Sequence, residues 1–278
     1  MTDLSGRQGL ILGVSGPHSI GFHTARALTA AGAVVALTHR PVHSARAAET
    51  QRLLPDALYL ELEAGEEASM PALFAELGER WGRLDFLVHT IAHASPESLR
   101  RPLTQLRRAE FEASLSVSVH SLISAAGLAL PLLERSDAPR IVALTSHGDT
   151  FAIPGYHVLG LGKAALAAAI RYLAVELGPA GVLCNALRFS LVATDGAVRA
   201  VGAETAQRTA SMIARTAPTR TCLDGEQVAR AVAFMVSPSW QNITGQILTQ
   251  DGGFAQLLFK TSATERHSQN GEHPWPRA

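Results

Sequence analysis

The sequence predicts an α/β fold: one domain over residues 1–260, built on a doubly wound parallel sheet of seven strands. Three observations carry that prediction. Seven short apolar runs recur along the chain, each followed by a stretch of different, mostly helical character. The runs are apolar throughout, as strands buried on both faces are, and do not alternate with polar residues. No polar linker divides them, and 278 residues suffice for one substantial core but are few for two.

In order, the first run is 9–14 (GLILGV), which passes through a glycine-rich junction into a helix over about 19–31. Residues 33–38 (AVVALT) precede a helix near 44–54, and 57–62 precede one near 68–81. Residues 84–89 (LDFLVH) lead to a long helix over about 106–134, and 140–145 (RIVALT) to one over 156–177. Residues 182–187 (VLCNAL) are followed by an Ala-rich segment expected to be irregular, then a helix near 225–236; 246–250 closes the series. Strands alternating with helices form right-handed βαβ units, the Rossmann-type arrangement when a dinucleotide binds at the strand ends. Two segments break the rhythm, 93–103 and 190–218. Both follow strand carboxyl ends, so both are expected to line the ligand pocket. Residues 261–278 are polar and punctuated by proline and read as a tail that buries little.

Composition narrows the function. Lys plus Arg (24) equals Asp plus Glu (24), so there is no electrostatic footprint for nucleic acid or an anionic membrane. Cys184 and Cys222 form no CxxC pair, and the expected compartment is the reducing cytoplasm. His39/His43 and His89/His93 are spaced four apart but straddle strand ends, where the helical i, i+4 metal geometry is missing; no metal is expected. The N-terminus has no signal-like apolar region and no run of eighteen apolar residues occurs.

The first strand runs into Gly13, Ser15, Gly16, Ser19 and Gly21. Glycines there let the backbone turn tightly and approach a pyrophosphate, and the following helix offers free N–H groups and partial positive charge. An ordinary βα turn would look similar; the position at the first strand–helix junction is what favours a cofactor. At the end of the second strand, where an acidic residue would bind the ribose 2′-hydroxyl of NAD, the chain has Arg40, with Arg46 nearby. A guanidinium fork suits a 2′-phosphate, so NADPH is expected in preference to NADH; a solvated surface arginine is the alternative. The fifth strand ends at Thr145 and Ser146, and Tyr156 and Lys163 follow. Seven residues are close to two helical turns, which sets both on one face about 10 Å apart along the axis. A lysine near a phenol lowers its pKa, and the phenol can then donate to a developing oxyanion. Taken alone, the pair reads as a buried tyrosine and a surface lysine on an amphipathic helix.

With these residues in view, the chain resembles the short-chain dehydrogenase/reductases, in the divergent branch that contains the bacterial NAD(P)H-dependent enoyl-[acyl-carrier-protein] reductases. That branch spaces Tyr and Lys by six intervening residues, as Tyr156 and Lys163 are, and carries Gly-x5-Ser-Ile, matched by Gly13, Ser19 and Ile20. Further similar stretches are 74–78 (FAELG), 89–91 (HTI), 152–154 (AIP), 160–164 (GLGKA), 177–181 (LGPAG), 185–186 (NA) and 251–254 (DGGF), so the resemblance covers about residues 4–258. It implies that Gly13, Ser19 and Ile20 cradle the pyrophosphate, Glu63 and Ala64 border the adenine, Ile91 and Ala92 lie at the adenosine ribose, Lys163 holds the nicotinamide ribose and Thr194 sits near the phosphates. Ser15, Thr145 and Val192 complete the implied cofactor contacts. Tyr156 would stabilise the enolate formed when hydride reaches the β-carbon of an enoyl thioester, Ala94 would touch substrate, and 192–218 would be the mobile substrate-binding loop.

The chain also departs from that pattern. Ser146 stands where the branch has a second tyrosine, and coincides with the catalytic serine of other short-chain reductases. Ala92 replaces a glycine, and Ser190 and Leu191 replace a Gly-Pro pair beside the nicotinamide. Three readings follow: reduction of a C=C bond conjugated to a thioester, with acyl carrier protein or coenzyme A as the carrier; a carbonyl or imine reductase; and a cofactor-binding protein without turnover. Helices 106–134 and 156–177 are apolar around much of their circumference, which predicts oligomerisation; the family resemblance implies a homotetramer.

Overall fold

The computed structural model describes residues 2–194, 196–198 and 202–257; the expected tail, 261–278, lies outside them. The strands are β1 (Gln8–Leu12), β2 (Val34–His39), β3 (Leu58–Glu61), β4 (Phe86–His89), β5 (Arg140–Ser146), β6 (Leu183–Phe189) and β7 (Ile247–Gln250). They form one sheet in the order β3-β2-β1-β4-β5-β6-β7, and every pairing is parallel. The helices are α1 (Ile20–Ala30), α2 (Ser44–Leu53), α3 (Ser69–Trp81), α4 (Pro96–Arg100), α5 (Arg108–Leu115), α6 (Ser121–Leu133), α7 (His157–Leu177), α8 (Ala203–Thr216) and α9 (Gly225–Met235).

Side chains alternate across each strand, and that alternation feeds two cores. Leu10 and Leu12 of β1 pack with α3, α6 and α7 through Phe74, Leu122 and Ile170 on one face. Ile11 packs with α1 and α9 through Phe22, Leu28 and Val228 on the other. Burial on both faces is why the central strands read as apolar runs; the edge strands β3 and β7 are only partly buried. The helix ends follow local chemistry. Asp224 and Gln227 form a reciprocal capping box at α9, and α3 ends on Gly82 in the left-handed conformation, φ +66.

The long helix expected over 106–134 is present as one helical stretch, Arg108–Leu133, in which a π-helical turn at Ser116–His120 separates α5 from α6. Ser118 on that turn and the serines that flank it tie down the end of β4 and the segment after it: Ser118 Oγ accepts from His93 N (2.9 Å), Ser114 Oγ of α5 donates to His93 O (2.7 Å), and Ser121 Oγ of α6 lies 2.8 Å from His89 Nε2. Such turns mark functional segments. One expectation is corrected: α8 lies inside the segment expected to be irregular. Ala206 and Ile213, two turns apart, are buried, while charged residues such as Glu204 and Arg208 face out.

The stretches Arg108–Leu133 and His157–Ala180 are long and apolar enough to cross a bilayer by length and composition. In the structure they are core helices: Leu122, Ala125, Ala126, Leu166 and Ile170 are fully buried against the sheet.

Candidate active site

The carboxyl ends of β1, β4, β5 and β6 open into one cleft of about 1090 Å³. The strand order reverses between β1 and β4, the place where doubly wound sheets bind ligands. Every candidate residue lines this cleft: Gly13, Ser15, Ser19 and Ile20 beyond β1, Arg40 beyond β2, and Glu63 and Ala64 beyond β3. Ile91, Ala92 and Ala94 follow β4, Thr145 and Ser146 end β5, Tyr156 and Lys163 flank the start of α7, and Val192 and Thr194 follow β6.

The turn after β1 is shaped by contact. Gly13 has φ +97, and a Cβ there would fall 2.8 Å from Ile91 Cγ1. Its N–H is held by Thr38 Oγ1 at 3.0 Å. Ser19 caps α1: its Oγ donates to Gly16 O (2.7 Å) and accepts from Phe22 N (3.3 Å). Ile20 and Gly21 then present the positive end of the helix to the cleft wall. On the opposite wall, the buried Ser190 Oγ has no hydrogen-bond partner among the described residues. Leaving a buried hydroxyl unpaired costs about 1–3 kcal/mol, so this wall too suits a polar ligand. A dinucleotide fits both observations.

Arg40 and Glu63 meet at the adenosine end. Arg40 Nε donates to Glu63 Oε2 at 2.9 Å, with both side chains partly exposed. The acidic residue therefore steadies the guanidinium at the rim, and the two terminal nitrogens of Arg40 carry its remaining N–H groups.

Thr145 and Ser146 end β5 beside Arg188 and Phe189 of β6. Ser146 Oγ donates to Tyr156 Oη at 3.2 Å, so the structure brings these two together. Tyr156 precedes α7, with φ −122 and ψ 4, and is not on the helix as spacing suggested. The expected lowering of the phenol pKa is also corrected. Burial pushes Tyr156 up, Ser146 pulls it down and the Asp149 carboxylate raises it further. Lys163 is buried and donates through Nζ to Leu144 O at 2.8 Å. Burial brings it down to about 8, against an upward pull from Asp149. The neutral phenol remains a proton donor.

Sequence reasoning missed several groups around this corner. Asp149, with a fully buried side chain, pairs with Arg188 of β6. His147 Nε2 lies 3.0 Å from Asp251 Oδ2 without an aligned hydrogen bond, and its ring sits between Phe151 and Phe254. Burial lowers the His147 pKa, and Asp251 opposes this. His89, fully buried next to Lys163, is pushed down to about 3 by burial and stays neutral. The available signal was position: a charged residue at the carboxyl end of a buried strand, as Arg188 is, needs a partner.

The family model for enoyl-(acyl carrier protein) reductase matches residues 13–255. The NADH-dependent enoyl-acyl-carrier-protein reductase FabI of Nostoc sp. is 31% identical over 91% of this chain and 98% of its own length. The NADPH-dependent FabI of Staphylococcus aureus is 30% identical over 91% and 98%. The crystal structure of the Bacillus cereus enoyl-acyl carrier protein reductase with NADP+ and indole naphthyridinone superposes with a TM-score of 0.87 at 26% identity, covering 93% of this chain and all of that one. The chain therefore belongs to the enoyl-(acyl carrier protein) reductase family of the short-chain dehydrogenase/reductase superfamily.

Proposed function

We propose that this chain is an NAD(P)H-dependent oxidoreductase that reduces the C=C bond of an enoyl thioester, carried on acyl carrier protein. The observation that carries the reading is the meeting of Tyr156, Ser146 and Lys163 in the cleft where the strand order reverses. The nicotinamide cofactor, when bound, supplies the hydride. The chain's own residues do the rest. Gly13, Ser15, Ser19 and Ile20 form the pyrophosphate wall, with Thr194 near the phosphates. Glu63, Ala64, Ile91 and Ala92 border the adenosine. Thr145, Val192 and Lys163 hold the nicotinamide end, the Lys163 ammonium taking the ribose hydroxyls. Tyr156 donates its hydrogen bond, then its proton, to the thioester oxygen as negative charge develops there, and Ser146 steers the phenol. Ala94, Leu99, Leu159 and Phe189 supply apolar wall for the acyl chain.

The test is oxidation of NADPH by the purified protein with a short enoyl thioester, followed by nicotinamide absorbance and by identification of the product. A saturated thioester supports the reading. Product identity also decides the second reading, a ketone or imine reductase, which the 3.2 Å Ser146–Tyr156 contact favours; an alcohol or amine from such substrates, with no thioester reduced, would establish it. NADPH binding without turnover on any of these points to the cofactor-binding protein.

Arg40 is the cofactor discriminator in this reading. Arg40→Ala is expected to raise KM for NADPH by about tenfold or more and leave NADH within about twofold. Equal KM values for the two cofactors in the unmodified protein would remove Arg40 from that role.

A homotetramer in the cytoplasm completes the reading. Tyr172 and Val175 of α7 are 77% and 79% exposed, and Ile123 of α6 and Leu161 of α7 are exposed as well. Apolar groups on two such helices are suited to burial against copies of the chain. Light scattering at micromolar concentration is expected to give the tetramer mass; a monomer mass overturns it. Cys184 and Cys222 are free thiols, consistent with a reducing compartment.

A further inference from the structure

We propose that the Asp149–Arg188 ion pair is a positioning element of the reducing site: it fixes the turn on which the Tyr156 ring rests and places a counter-charge beside Tyr156 and Lys163. The kinetic part of this proposal rests on the reductase reading; the positional part does not.

The pair is built with many bonds. Arg188 Nε donates to Asp149 Oδ1 at 2.8 Å and to Oδ2 at 3.0 Å. Asp149 also accepts from Thr145 Oγ1 (3.1 Å) and Thr150 Oγ1 (2.9 Å). The rest of the guanidinium reaches Thr150 Oγ1 at 3.0 Å and Thr249 Oγ1 of β7 at 3.3 Å. One arginine thus clamps the turn His147–Asp149 to β6 and β7. Well-packed apolar residues often replace a buried ion pair at no loss of stability, because the cost of burying charges offsets what their attraction returns. A pair placed here, on the turn that touches Tyr156, is better accounted for by what it holds.

What it holds is the phenol. A Cβ on Gly148 would fall 2.7 Å from Tyr156 Cε1 and 3.3 Å from Gly160 Cα. The tyrosine ring lies directly on the backbone of the clamped turn, so a shift of the turn moves the phenol oxygen. The charged and titratable groups around this corner are Asp149, Arg188, His147, Asp251, Lys163 and, from β4, His89. Of these, Asp149 acts on both reacting side chains, raising Tyr156 and Lys163 alike. It favours the neutral phenol and the ammonium together, the two forms the chemistry uses.

The first readout needs no substrate. Tyrosinate ultraviolet absorbance is titrated in the full chain and in its Tyr156→Phe counterpart, and the difference isolates the Tyr156 phenol. Asp149→Asn is expected to lower that midpoint by about half a pH unit or more. With an enoyl thioester, Asp149→Asn is expected to lower kcat by about tenfold, leave thioester KM within about threefold, and move the alkaline limb to lower pH. Arg188→Lys keeps the charge but does not span Asp149, Thr150 and Thr249 together; its midpoint is expected to stay within about 0.2 units while kcat falls about threefold or more. If Asp149→Asn does not fold, Arg188→Lys decides alone, and wild-type kcat there overturns the proposal. An unmoved phenol midpoint in folded Asp149→Asn also overturns it. Failure of the unmodified protein to reduce any enoyl thioester sinks the reductase reading, and the titration still judges the pair.

Discussion

Tyr156→Phe is expected to lower kcat for enoyl thioester reduction by on the order of a hundredfold or more, the loss found when one donor to a developing oxyanion is removed. The substitution deletes one oxygen. The ring keeps its seat on Gly148 and beside Gly160, and the lost hydrogen bond from Ser146 is a single contact at the cleft wall. Stability should therefore change by no more than about 1 kcal/mol. Cofactor affinity, measured by nicotinamide fluorescence, should remain within about twofold, since an interaction made only in the transition state leaves ground-state binding alone. A loss in kcat under threefold would mean that the phenol is not the proton donor, and would move that role to Ser146 or water.

The largest stability effect is expected far from the chemistry, at Gly9. In the parallel register Gly9 lies beside Phe86, and a Cβ on Gly9 would fall 1.7 Å from Phe86 Cε2 and 2.0 Å from Cζ. Phe86 is fully buried in the core with α1 and α9, so its ring yields only by displacing packed neighbours. Strain of that kind costs about 1–3 kcal/mol in typical overpacked cores, and here, with both strands central to the sheet, about 3 kcal/mol or more is expected for Gly9→Ala. That is a large share of the stability of an ordinary domain. Urea unfolding should show a lower midpoint with little change in slope. Adding Phe86→Leu should restore much of the loss, because the smaller side chain vacates the space the new methyl needs. If the double variant is no more stable than Gly9→Ala alone, the clash is not the cause.

The parts of this molecule legible in its sequence are those fixed by neighbours close in the chain. The central strands announced themselves because β1, β4, β5 and β6 are buried on both faces, which leaves runs with few polar interruptions. The turn after β1 was legible because its glycines and the Ser19 cap act over a few residues. Tyr156 and Lys163 stood out only through their resemblance to a known spacing; the spacing alone put Tyr156 on a helix that in fact begins one residue later. The direction of the phenol shift was misjudged because spacing says nothing of burial or of Asp149. That carboxylate is 39 residues from Arg188, and the two meet only because β5 and β6 pair Thr145 with Arg188. The π-helical turn at Ser116–His120 was hidden for a similar reason: Ser118 on it and Ser114 before it answer to His93, more than twenty residues away. Helix α8 was masked by an Ala- and Thr-rich segment whose buried positions, Ala206 and Ile213, are sparse.

The strand order has a consequence for how the molecule is made. β1, β2 and β3 form one side of the sheet, and β4, β5, β6 and β7 then join at the other edge in the order in which they leave the ribosome. No later strand has to be inserted between two already paired. Assembly can thus advance from the N-terminus while synthesis continues, each strand from β5 on capping the open edge left by the one before it. Among the strands that join at that edge, β6 waits longest for its partner, since β7 follows only after α8 and α9. A ribosome that stalls before β7 exposes the β6 edge, with its unpaired amides and carbonyls, and this is the stage at which the nascent chain is most prone to aggregate.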